Sequence, residues 1–197
     1  SLAMGVCAQD LIFTGSGTES DNMAIHSAVK NGCRRLLISG MDHPATFMAA
    51  RRYEGVKIDP IPVTSDGQTD MDALRAILEK WDSADGAPFV SIVSANSETG
   101  AIQDTETACA LTHAAGGHVL VDAVQALGKV TMDCDADYIS VSAHKIGGPQ
   151  GVGALYVSPD APFPCDMAPM GRQWFSLQDR APEAILSGVQ AAAPVLE

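Results

Sequence analysis

Basic residues are scarce in this chain: 12 lysines and arginines stand against 24 aspartates and glutamates, a formal net charge of −12 over 197 residues. Proteins that grip a phosphate backbone carry a basic face, so nucleic acid is excluded as an expected partner. A single local phosphate pocket is not excluded. No run approaches the roughly 18 uncharged apolar residues of a membrane helix, and the N-terminus lacks a signal-peptide pattern. A membrane partner is therefore not expected. The five cysteines (Cys7, Cys33, Cys109, Cys134, Cys165) include no Cys-x-x-Cys pair. That usage reads as reduced and cytoplasmic, without a zinc or other metal site. Each cysteine reads as a small buried hydrophobe rather than a nucleophile. Internal repeats and low-complexity tracts are also lacking, which removes solenoids and linker-like segments.

What is there is apolar enough to fold. An apolar fraction of 46% with 18% charged residues suits one soluble domain with a sizeable core. Short apolar runs alternate with helical patterns. Leu11 to Thr14 reads as a strand, followed by a Gly-Ser-Gly turn and a helix from about Glu19 to Lys30 that Gly32 ends. Strand Arg35 to Ser39 leads to a helix from Pro44 to about Tyr53, with proline in its first turn. Val56 to Val63 reads as an edge strand because of Pro60 and Pro62. Asp70 to Trp81 is an amphipathic helix, and the continuous apolar run Phe89 to Ala95 is a strand covered on both faces. Helix Thr105 to Ala115 and strands His118 to Val121, Tyr138 to Ser142 and Gly153 to Val157 follow. The alternation predicts an α/β three-layer sandwich with a mainly parallel sheet.

Ligands of such sheets sit beyond the carboxyl ends of the strands. The unusual residues fall at those ends: Gly15 to Thr18, Asp42-His43, Asn96 to Glu98, Asp122 to Gln125 and Ser142 to Lys145. Gly15-Ser16-Gly17-Thr18 joins a strand to a helix, where unpaired N–H groups and the helix dipole suit a phosphate. The same pattern also suits a plain tight turn with an N-cap. It is not a dinucleotide loop, since Ser20 stands where the third glycine is required. Lys145 closes an apolar strand before a glycine-rich bend. Desolvation there would favour the free amine of a Schiff-base lysine, against the alternative of an ordinary surface lysine. Asp122 ends the strand through Val121; it suits a protonated pyridine nitrogen, or the cap of the next helix.

These segments resemble the cysteine desulfurases of the class V aminotransferase family. Phe13 to Asn22 is similar to a segment reading Thr-Ser-Gly-(Ala/Gly)-Thr-Glu-Ser-Asn-Asn, and Asp42-His43-Pro44-Ala45 to Glu-His-Pro-Ala. Asn96-Ser97-Glu98-Thr99-Gly100 resembles Asn-Asn-Glu-Thr-Gly, and Val121 to Lys129 resembles Val-Asp-Ala-x-Gln-x-x-Gly-Lys. Ser142 to Tyr156 is similar to Ser-Gly-His-Lys-x-x-Gly-Pro-x-Gly-Val-Gly-Ala-Leu-Tyr. The resemblance implies the large domain of a fold type I transferase that uses pyridoxal 5'-phosphate. Lys145 would carry the cofactor on its amine and move the substrate Cα proton. Gly17, Thr18, Ser142 and His144 would hold the phosphate, Asp122 the ring nitrogen and Gln125 the ring hydroxyl. His43 would stack on the ring, and Ser97, beside Asn96, would take the place of a cofactor-touching asparagine. The implied substrate is L-cysteine, giving alanine and an enzyme persulfide, with a homodimer and a sulfur-acceptor protein as partners.

The resemblance also implies that these 197 residues are one partial cofactor-binding domain. The family is roughly twice as long, with an N-terminal segment and a smaller C-terminal domain that holds the nucleophilic cysteine and the carboxylate-binding arginine. The isolated chain is expected to be inactive. Met170 to Trp174 and Arg180 to Glu183 replace a glycine-rich loop whose threonine reaches the partner's phosphate, which weakens the expected dimer contact. A selenocysteine lyase, another class V aminotransferase, or a non-catalytic paralogue serving as an interaction domain are the alternative readings.

Overall fold

The computed structural model describes residues 6–7, 10–132 and 134–162 of the chain. Cys165 and the Met170 to Glu183 stretch lie outside the described residues. Seven strands form one sheet: β1 (Leu11–Thr14), β2 (Arg35–Ser39), β3 (Lys57–Ile61), β4 (Phe89–Val93), β5 (His118–Asp122), β6 (Tyr138–Ser142) and β7 (Gly153–Val157). Their order is β1-β7-β6-β5-β4-β2-β3. The pairs β2–β3, β2–β4, β4–β5 and β5–β6 are parallel, whereas β7 runs antiparallel to both β6 and β1. Only β7 is reversed. The carboxyl ends of β1, β2, β4, β5 and β6 therefore open on the same side of the molecule.

Four helices cover the sheet: α1 (Gly17–Lys30), α2 (Pro44–Ala50), α3 (Met71–Leu78) and α4 (Thr105–Ala114). Side chains alternate along each strand, so each strand feeds two cores. Leu37, Val90, Ile92, Val119, Val121, Ile139 and Val141 pack with Leu74, Leu78 and Ala108 of α3 and α4. Leu36, Ile38, Phe89, Leu120, Tyr138 and Leu155 pack with Ala24, Ile25, Ala28 and Ala49 of α1 and α2. The three-layer expectation holds, with Phe89–Val93 buried throughout. The strand with Pro60 does lie at an edge, where a missing N–H costs no ladder hydrogen bond. Cys33 and Cys109 are buried as expected, Cys134 is half-buried, and Cys7 is exposed, contrary to expectation.

Each helix starts on a side-chain cap. Ser16 Oγ accepts from Glu19 N at 3.1 Å, Asp70 Oδ1 from Ala73 N at 2.9 Å, and Asp104 Oδ1 from Thr107 N at 3.0 Å. α2 begins with Pro44 at its first position and His43 as cap, Nδ1 accepting from Ala45 N at 3.1 Å. α1 starts at Gly17 rather than near Glu19, because the cap at Ser16 draws the glycine turn into the helix. Among the described residues no helix is long and apolar enough to cross a membrane.

Candidate active site

The five strand ends enclose a cavity of about 630 Å³. Gly17, Thr18, His43, Asn96, Ser97, Asp122, Gln125, Ser142, His144 and Lys145 all line it, although they lie on five separate stretches of the sequence. Topology explains the convergence. Parallel strands deliver every β-to-α turn to one edge of the sheet, and the single reversed strand leaves the turn after β1 on that edge too.

The glycine turn forms one wall. The first-turn amides of α1, Gly17 and Thr18 among them, have no acceptor within the helix. A side chain at Gly17 would bring its Cβ to 2.5 Å from Val124 Cγ2, so only glycine lets this turn pack against the loop after β5. Ser16 is engaged as the cap, and Glu19 Oε2 accepts from Gly15 N at 2.6 Å. The turn is thus a capped helix start whose free first-turn amides line the cavity.

Ala143–Ile146 forms a single 3-10 turn after β6 and carries His144 and Lys145 to the same cavity. His144 Nδ1 lies 2.8 Å from the buried Ser142 Oγ, which fixes the imidazole over the cavity. Lys145 is exposed. The desolvation expected from its place at a strand end is therefore not supplied by the described residues, because the turn projects the side chain past the sheet edge. His43, also exposed, lines the cavity from the start of α2.

Asn96 is committed to its own loop. Its Oδ1 accepts from Glu98 N and Thr99 N at 2.9 Å each, and its Nδ2 donates to Met41 O at 2.8 Å. Ser97 is exposed in the same cavity and remains the better placed of the two for a ligand. Gln125 Oε1 accepts from Lys129 Nζ at 3.1 Å, which leaves its amide end for the cavity.

The floor is acidic. Asp122 is 5% exposed and its Oδ1 accepts from Val124 N at 2.9 Å, so it caps the following turn while lining the cavity. Burial pushes its carboxyl upward; the Val124 N–H and the His43 charge oppose that shift. No lysine or arginine among the described residues forms a salt bridge with it. Two further aspartates that sequence reasoning did not assign to the site line the same cavity. Asp42 accepts from Ser91 Oγ and Val93 N, both at 2.6 Å, which ties the loop after β2 onto β4. Burial and the Asp122 charge push it up to about 7, although the Ser91 hydroxyl acts against them. Asp21 lies on the buried stripe of α1 with Gly17, Ala24 and Ala28. An acidic residue in the apolar register of a helix is the signal that the sequence carries for it.

A family model described as aminotransferase class-V matches residues 3–170. Curated relatives include a cysteine desulfurase of Cereibacter sphaeroides, 39% identical over 162 residues, covering 78% of this chain and 41% of that protein. Another, from Rhodobacter capsulatus, is 40% identical over 163 residues, covering 79% and 41%. Among solved structures, one described as a NifS-like protein superposes with a TM-score of 0.72 at 31% identity, covering 82% of this chain and 46% of that one. DndA from Streptomyces lividans superposes with a TM-score of 0.69 at 25% identity, covering 91% and 59%. The chain spans about two fifths of the length of the curated relatives named here, 41% in each. With the match covering most of the sequence and the strand-end cavity formed as the fold demands, the chain belongs to the class-V aminotransferase family.

Proposed function

We propose that this chain is the cofactor-binding part of a pyridoxal-phosphate enzyme of the cysteine desulfurase type. The observation that carries the reading is Asp122: a carboxylate 5% exposed, without a salt-bridge partner among the described residues, in one cavity with a lysine and the first-turn amides of α1. The donor set fits the group. An aromatic N–H⁺ satisfies a buried carboxylate, backbone amides satisfy a phosphate, and an accessible amine meets an aldehyde. Gly17, Thr18, Ser142 and His144 would hold the phosphate, Asp122 the ring nitrogen, Gln125 and Ser97 the ring hydroxyl side, His43 the ring face and Lys145 the aldehyde carbon.

Bound there, the cofactor supplies an electron sink that makes the Cα–H of an amino acid acidic. Asp122 keeps the ring nitrogen protonated by remaining ionised. Lys145 Nζ takes the proton from the substrate Cα and returns one as the product forms. His144, fixed by Ser142, and the α1 amides hold the phosphate still while this happens. In the whole protein L-cysteine and an enzyme thiol give L-alanine and an enzyme persulfide, so that one sulfur atom moves and nothing else is consumed. The described lining of the cavity includes no cysteine and no arginine, so neither the sulfur-accepting thiol nor the substrate carboxylate clamp is among those residues. The same reading implies a cytoplasmic homodimer that hands sulfur to an acceptor protein.

Titration with pyridoxal phosphate tests the reading. The expected result is a red-shifted absorbance that Lys145→Ala abolishes, with no sulfide released from cysteine by the isolated chain. An absorbance shift that survives Lys145→Ala would show that another amine carries the cofactor.

A further inference from the structure

Three aspartates meet in the proposed cofactor cavity, and they are not equally provided with donors. Asp21, Asp42 and Asp122 are 2%, 7% and 5% exposed. Asp42 takes two hydrogen bonds and Asp122 takes one. Asp21 Oδ1 has no hydrogen-bond partner at all. Ser140 Oγ on β6 is likewise buried without a hydrogen-bond partner. Among the described residues no group of three or more His, Cys, Asp or Glu side chains is arranged to hold a metal ion, so a cation does not resolve the crowding.

Charge on a buried carboxylate is tolerable only where donors surround it. Of the three, Asp42 and Asp122 have such donors and Asp21 does not. The other titratable groups lining the cavity are His43, Glu98, His144 and Lys145. None of them is hydrogen-bonded to Asp21, and Glu19, two residues earlier on α1, is turned to Gly15 N. The cheapest arrangement places a proton on Asp21.

We propose that Asp21 is a positioning residue that holds a proton among the three buried aspartates and so leaves the negative charge on Asp122 for the cofactor's ring nitrogen. This rests on the pyridoxal-phosphate reading of the cavity. Two consequences support it. Burial first, then the charges of Asp122 and Asp42, hold the Asp21 carboxyl well above the ordinary carboxylate range, against the pull of the Ser140 hydroxyl. A neutral Asp21 also suits its place on the buried stripe of α1 with Ala24 and Ala28, where its Oδ1 finds no donor.

The test begins without cofactor. Stability of the 197-residue chain and of Asp21→Asn is measured by denaturant unfolding across a pH series. An aspartate protonated in the fold and ionised in the unfolded chain loses stability as pH rises above about 4. The two chains should coincide near that pH, and Asp21→Asn should become progressively the more stable towards alkaline pH. A second readout covers a variant that folds poorly: the infrared carbonyl band of a protonated carboxylic acid, present in the wild-type chain at neutral pH and diminished in Asp21→Asn. With pyridoxal phosphate added, Asp21→Asn should bind within about threefold of wild type at neutral pH, whereas Asp122→Asn, losing a charge-assisted bond, should weaken binding by roughly tenfold or more. A stability difference flat in pH, or one that grows in favour of the wild type, overturns the assignment of the proton to Asp21. The expected pH dependence without any pyridoxal-phosphate binding overturns the cofactor reading instead, and the role of Asp21 falls with it.

Discussion

His118 and Asp122 begin and end the same strand, and the carboxylates at those two ends live in opposite surroundings. At the amino end, Asp137 Oδ2 accepts from His113 Nε2 and Val119 N, and Oδ1 from His118 Nδ1, all at 2.8 Å. Burial works to raise that carboxyl, yet the hydrogen bonds from His118, His113 and Val119 outweigh it and hold it below the ordinary value. At the carboxyl end, Asp21, Asp42 and Asp122 are as deeply buried and all three are raised. One end of the sheet uses a carboxylate to join α4, β5 and the approach to β6. The other leaves its buried carboxyls short of positive charge, which costs stability in the free chain.

The largest break in this comparison is expected from Asp137→Ala, which strands two imidazoles and the Val119 amide. A loss of about 3 kcal/mol in unfolding free energy is expected, read from the denaturation midpoint. The sign with pH is definite. A carboxyl lowered in the fold contributes above its unfolded pKa, so the gap between wild type and variant should shrink as pH falls below about 4. Asp42 should show the reverse slope: with its carboxyl raised from 3.8 to about 7, its contribution falls as pH climbs through that window, and Asp42→Asn should flatten the slope. If both ends titrate with the same sign, the contrast is wrong.

Gly17→Ala comes next. A Cβ at 2.5 Å from Val124 Cγ2 should cost about 1–2 kcal/mol by overpacking, and Val124→Ala in the same chain should restore most of it. Ser142→Ala removes the buried hydroxyl that fixes His144; about 1 kcal/mol and a several-fold weaker hold on phosphate are expected, measured by unfolding and by phosphate competition. Lys145→Ala should change stability least, within about 0.5 kcal/mol, because the side chain is exposed. Its effect belongs to the cofactor absorbance alone.

Much of this was legible in the sequence, for identifiable reasons. Phe89–Val93 is apolar at every position or small, and a strand covered on both faces has to be. Pro60 placed β3 at an edge. Five polar turns after five strands pointed to one face because parallel strands leave no other arrangement. Other features depended on three-dimensional detail. The exposure of Lys145 follows from how a 3-10 turn leaves β6, which no spacing encodes. Asn96 lines the cavity, yet its amide is engaged by its own loop and by Met41 O, which the motif does not reveal. Asp21 was overlooked because α1 was read for its apolar residues, while the decisive feature was the acid among them.

The reversed strand β7 bears on how the site comes into being. It pairs Thr14 with Gly153, residues from opposite ends of the described chain, and a side chain at Gly153 would press within 2.8 Å of Ser16 C and Thr14 Oγ1. The turn that leads into α1 is thus clamped in place by a strand synthesised long after it. Pairings so distant in sequence are slow to close, because loop entropy must be overcome before the contact forms. A ribosome-bound chain that has finished β1 and α1 holds the residues of the glycine turn without its geometry. Competence to bind an anion there should emerge as a single event, only once β7 slides between β6 and β1.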